Sequence, residues 1–124
     1  MIYIVLNAFP ILVAGVVGAG IALLWYRRAL PVGTLVTLLV AQTWLAAILA
    51  GALILAPPKG DVWTMTLGSA FIIWLGFILP AIAASYRLRE FAWRAVATDV
   101  SYWLVAMLAQ AAIMRLIGVV APPT

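Results

Sequence analysis

VGTLVTLLVAQTWLAAILAGALIL, residues 32–55, runs its whole length without a charged side chain and ends at Ala56-Pro57-Pro58-Lys59-Gly60-Asp61. About 20 predominantly apolar residues are enough for a helix to cross the hydrocarbon core of a bilayer. The stretch therefore predicts a transmembrane helix, and its prolines and glycine predict a turn at the far end. The same reading applies on either side of it. Residues 2–25 form an apolar run that stops at Tyr26-Arg27-Arg28, residues 62–86 form one that stops before Arg87, Arg89, Glu90 and Arg94, and residues 95–120 form one that stops at Ala121-Pro122-Pro123. Residues 1–26 lack the basic leader of a cleaved signal peptide, so the first run is expected to be a retained helix. Short connections favour antiparallel neighbours. The expected fold is all-α, a single domain over residues 1–124 built as an integral membrane bundle of four antiparallel transmembrane helices.

Composition agrees with that class. Of the 124 residues, 69% are apolar and 8% charged, against about 25% charged in a typical soluble domain. The net charge of +4 is read as loop placement, and no nucleic-acid partner is expected. With neither Cys nor His in the chain, disulfides, thiolate ligands and the commonest neutral-pH proton carrier are excluded. No cofactor or metal centre is expected, and the chain is read as a non-enzyme.

Short cytoplasmic loops carry an excess of Lys and Arg. Arg27, Arg28, Arg87, Arg89 and Arg94 fall on one side and Lys59 and Arg115 on the other, five against two, which predicts that both termini lie outside the cytoplasm. Tyr3 and Trp63 at one boundary, with Trp25, Tyr26, Tyr86, Phe91 and Trp93 at the other, fit an interfacial aromatic belt, whereas Trp44 and Trp74 fall mid-span.

Helices in lipid associate through close packing and hydrogen bonds, so small and polar residues mark contact faces. Asn7, Ala14, Gly18 and Ala22 share one face of the first helix, and Gln42 marks one in the second. Ser69 and Gly76 mark the third helix and Gln110, in line with Asp99 and Tyr102, the fourth. Pro10 removes a backbone donor and is expected to bend the first helix.

Ionisable residues near the membrane are functional candidates. Asp99 is expected to open the fourth helix as a capping carboxylate and to be held, ionised, by one or more of Arg27, Arg28, Arg87 and Arg94. Arg115 lies 16 residues further on, roughly 24 Å along the axis, and is expected to reach Asp61 at the opposite boundary.

Trp25-Tyr26, Trp74-Leu75-Gly76-Phe77 with Pro80, and Asp99 followed by Tyr102-Trp103-Leu104 together resemble domain of unknown function 1761, an uncharacterised bacterial family of four-helix membrane proteins. The likeness covers nearly the whole chain and implies a bacterial inner-membrane location, although Arg27-Arg28-Ala29-Leu30-Pro31 replaces the Phe-Gly-Lys-x-Trp-like stretch usual in that family. The family has no established activity to lend. Small multidrug resistance transporters use a glutamate within the first helix, and here the only Glu is Glu90, in a loop. Fluoride channels are approached through Gly33-Thr34-Leu35, without the asparagine expected further along that helix.

A non-catalytic structural or accessory subunit needs only lipid-compatible helices with contact faces, which is what these residues supply. Membrane lipid and either other membrane subunits or further copies of the chain are the expected partners. The alternative is a homo-oligomeric channel or transporter for a small solute.

Overall fold

The computed structural model describes residues 2–56 and 60–121. Among them every regular element is helical: α1 (Ile2–Leu6), α2 (Ala8–Tyr26), α3 (Val32–Leu55), α4 (Val62–Ile73), a π-helical turn (Trp74–Ile78), α5 (Leu79–Leu88) and α6 (Trp93–Ile117). The π turn joins α4 and α5 into one span, Val62–Leu88, so four helices are long and apolar enough to cross a membrane. Lys59, counted in the charge asymmetry, Pro57 and Pro58 of the expected turn, and Pro122 and Pro123 at the expected stop of the last run lie outside the described residues.

Local chemistry explains where these helices bend and stop. Pro10 has no N–H, so the Leu6 carbonyl lacks its usual donor, and helical geometry breaks at Asn7 between α1 and α2 (φ −112°, ψ 25°). Arg27 ends α2 in the left-handed region (φ 50°), where its N–H still reaches the Leu23 carbonyl at 3.1 Å. The last helix starts at Trp93 and stops at Ile117, short of residue 120, because Gly118 turns the chain with a φ of 102°. In the third span the Leu79 N–H bonds the Trp74 carbonyl, five residues back, and Pro80 then offers no N–H to the ladder.

Helix α2 packs on α3 and on α6, while α4 and α5 lie mainly against α6. Close approach is set by small side chains. Ala14, Ala46, Ala50, Ala106 and Ala111 are fully buried, and a Cβ at Gly15 would collide with Thr43 of α3, backbone included. The distribution of polarity is inverted relative to a water-soluble domain. Asn7, Gln42, Thr66 and Gln110 are buried, whereas Val5, Leu24, Leu55 and Phe77 are among the most exposed residues. Coverage is also uneven, with 6% of the apolar stretch of Val62–Leu88 buried, against 33–39% for the other three spans.

Candidate functional site

Two polar assemblies lie between the helices. The first sits where α2, α3 and α6 meet. Gln42 Nε2 donates to the Tyr102 hydroxyl at 2.7 Å, which donates to the Gly18 carbonyl at 2.6 Å. Gln110 Nε2 donates to Gln42 Oε1 at 2.7 Å. The Gly18 carbonyl can accept because a helical carbonyl keeps a second lone pair after its backbone bond. A Cβ there would lie 2.5 Å from Gln110 Nε2 and 2.6 Å from Gln42 Oε1, so any larger residue would have to displace both amides. Gln110 Oε1 is buried without a hydrogen-bond partner among the described residues.

The second assembly is at the end where α2 and α5 finish and α6 begins. Asp99 Oδ1 accepts from the Tyr26 hydroxyl and Oδ2 from the Tyr86 hydroxyl, each at 2.5 Å. Tyr26 and Tyr102 meet edge to face with centroids 5.6 Å apart, and Tyr102 meets Trp103 in the same way at 5.5 Å. The Trp25 indole N–H reaches the Thr98 carbonyl at 3.2 Å, fixing the end of α2 against α6. Asp99, Tyr26, Tyr86, Tyr102 and Trp103 border a pocket of about 290 Å³ whose wall also includes Arg28, Thr34 and Leu38. It is the most polar of the described cavities, whereas the groove between α3 and α4, which Gly68 and Ser69 line, is almost wholly apolar.

The arginine partners expected for Asp99 are corrected by this geometry. Among the described residues no arginine forms an ion pair with it, and two tyrosines occupy both oxygens instead. Arg87 is engaged elsewhere, donating to the Phe91 carbonyl at 2.7 Å with its guanidinium 4.9 Å from the Trp93 ring centroid. Arg94 is five residues before Asp99, roughly 140° round the helix. Arg27 and Arg28 follow the end of α2 and are exposed. Asp99 is not a cap either, because α6 begins at Trp93 and the carboxyl falls in the second turn.

Asp61 takes the capping role, accepting from the Thr64 N–H at 3.1 Å and its hydroxyl at 3.2 Å. Arg115, expected to reach Asp61, instead donates from Nε to the Thr66 hydroxyl at 2.8 Å, tying α6 to α4. Thr66 had no place among the residues singled out from sequence.

Asn7 bridges the two chain ends. Its Nδ2 donates to the Tyr3 and Val120 carbonyls, both at 2.8 Å, and its Oδ1 accepts from the Val120 N–H at 2.6 Å. Ala14, Gly18 and Ala22 all lie on the buried face of α2. Ser69 and Gly76, expected to contact another helix, do not do so through their own groups. The Ser69 hydroxyl donates to the Met65 carbonyl of its own helix at 2.7 Å, and Gly76 is exposed with open space around it. The cause is Trp74, whose indole N–H bonds the Val100 carbonyl at 2.8 Å and so turns its side of the π segment toward α6. Gly76, two residues on, points roughly the other way. That hydrogen bond also accounts for a tryptophan at mid-span. Among the described residues no group of three or more Asp and Glu is placed to hold a metal ion.

No family model, no curated protein and no solved structure matches the chain.

Proposed function

We propose that the chain is a multi-pass bacterial inner-membrane protein, an antiparallel bundle of four transmembrane helices with both termini outside the cytoplasm, that serves as a non-catalytic structural or accessory subunit. The apolar exterior and polar interior support insertion. Contact between Tyr26 at the end of α2 and Asp99 near the start of α6, with Asn7 against Val120 at the other end, supports the antiparallel order. The arginine asymmetry supports the orientation. The likeness to domain of unknown function 1761 supports the same architecture without adding an activity.

One observation carries the accessory role, namely the 6% coverage of the third span. The other three spans are held by interlocking side chains, whereas few residues of Val62–Leu88 are fully buried, and the span carries Gly68 and Gly76, each with open space where a Cβ would stand. Small residues let another transmembrane helix approach closely. The buried amides, Tyr102 and Asn7 join the chain's own helices, so the bundle is locked internally and offers this span outward.

The test is purification in a gentle detergent with mass determination, comparing the parent with Gly68→Trp and Gly76→Trp. Both positions are open, so the substitutions leave the fold intact. The expected result is a stoichiometric assembly, with a second copy or a larger membrane protein, that the tryptophans dissociate. A lone chain of unchanged mass in parent and variants contradicts the accessory reading.

A further inference from the structure

The pocket at Asp99 has a chemistry that the accessory role does not use. Arg27, Arg28, Arg87, Arg89 and Arg94 all lie at this end of the molecule, yet the carboxyl oxygens are met by two tyrosine hydroxyls. Each hydroxyl directs its single proton to Asp99 and keeps its own lone pairs, and each carboxyl oxygen has a further acceptor direction. Acceptors on Tyr26, Asp99 and Tyr86 are thereby gathered around one negative centre at the pocket wall. The Trp103 ring, half-buried, lines the same cavity, and an aromatic ring there favours a cation. Arg28 lines it too and brings a guanidinium suited to phosphate.

We propose that this pocket binds a zwitterion in which a primary ammonium is joined to a phosphate, of the ethanolamine phosphate class. A simple cation would face Arg28, and a simple anion would face Asp99, so each meets a like charge. A zwitterion satisfies both with its ammonium inward and its phosphate toward Arg28. A primary ammonium carries three N–H donors for the acceptors on Asp99 and the two tyrosines, whereas a quaternary one has none. The pocket, at about 290 Å³, is of headgroup size and at the small end of ligand sites. Two sources share this chemistry: a phosphatidylethanolamine headgroup, which rests on the membrane reading above, and soluble phosphoethanolamine, which does not.

The experiment uses the full chain. In one arm it is placed in nanodiscs of mixed phosphatidylethanolamine, phosphatidylcholine and phosphatidylglycerol, and the lipids it retains on release are weighed by native mass spectrometry. In the other, delipidated protein in detergent is titrated with phosphoethanolamine, phosphocholine and glycerol phosphate. The proposal expects the ethanolamine form to be preferred by about tenfold or more in at least one arm, the scale of one lost charge-assisted contact. Preference in the first arm alone identifies the lipid, and preference in the second identifies the solute. Asp99→Asn should bring the ethanolamine and choline forms to parity. Arg28→Gln, at an exposed position that no fold contact requires, should weaken the preferred ligand by a similar factor at an unchanged melting temperature. Equal binding of all three headgroups in both arms overturns the proposal, as does undiminished affinity in Arg28→Gln, which holds even where Asp99→Asn fails to fold. Neither outcome bears on assembly mass, so this failure is distinguishable from failure of the accessory reading.

Discussion

Gly18 shows how a single missing side chain organises the centre of the molecule, since its carbonyl receives Tyr102 and its open α-carbon admits both glutamines. Gly18→Leu is expected to destabilise the protein by about 1–3 kcal/mol or more, the range for overpacking, measured as a lower melting temperature in detergent. The amides themselves should behave asymmetrically. Gln42→Leu removes the side-chain acceptor of the Gln110 amide and the donor to the Tyr102 hydroxyl, whereas Gln42→Leu with Gln110→Leu removes both buried amides. Leaving a buried group unsatisfied costs roughly 1–3 kcal/mol, while removing both partners can be nearly neutral. The double variant should therefore lose less than the sum of the singles. Much of this seam was legible from the helical spacing of Gly18, Gln42 and Gln110. The partners of Asp99 were not, because the contacts with Tyr26 and Tyr86 span 73 and 13 residues and depend on how three helices are rotated. Charge alone pointed to arginine. The correction implies that Tyr26→Phe lowers stability by about 1 kcal/mol while Arg94→Gln leaves it unchanged, which chemical denaturation in detergent can separate.

At the scale of elements, the legible parts are those governed by composition. Val32–Leu55 follows Pro31 and is succeeded in the sequence by Ala56-Pro57-Pro58, and it forms over the residues its uncharged run marks. The π turn left no comparable mark, since Trp74-Leu75-Gly76-Phe77-Ile78 reads as ordinary apolar helix until Pro80 removes a donor and Trp74 finds the Val100 carbonyl. Trp74→Phe keeps the ring and removes only the N–H, so a loss near 0.6 kcal/mol is expected, typical of an interhelical hydrogen bond in lipid. Asp61→Ala should cost about 0.5–2 kcal/mol through the lost cap. In both cases the readout is the unfolding midpoint of the purified protein, and a midpoint equal to the parent's would deny the hydrogen bond its structural role.

For the whole molecule, the central claim is that four helices cross the bilayer with the arginine-rich connections on the cytoplasmic side. The chain has no cysteine, so single cysteines can report each position without background. Ala29, Ala92 and Ala121 are exposed and outside the helices, and Phe77 is exposed within the third span. Four variants, Ala29→Cys, Ala92→Cys, Phe77→Cys and Ala121→Cys, would be treated in intact cells with a thiol reagent that cannot cross the inner membrane, and again after the membrane is opened. Labelling of Ala121→Cys in intact cells, of Ala29→Cys and Ala92→Cys only after opening, and of Phe77→Cys in neither is the predicted pattern. Labelling of Ala29→Cys and Ala121→Cys from the same side, or ready aqueous labelling of Phe77→Cys, would contradict it.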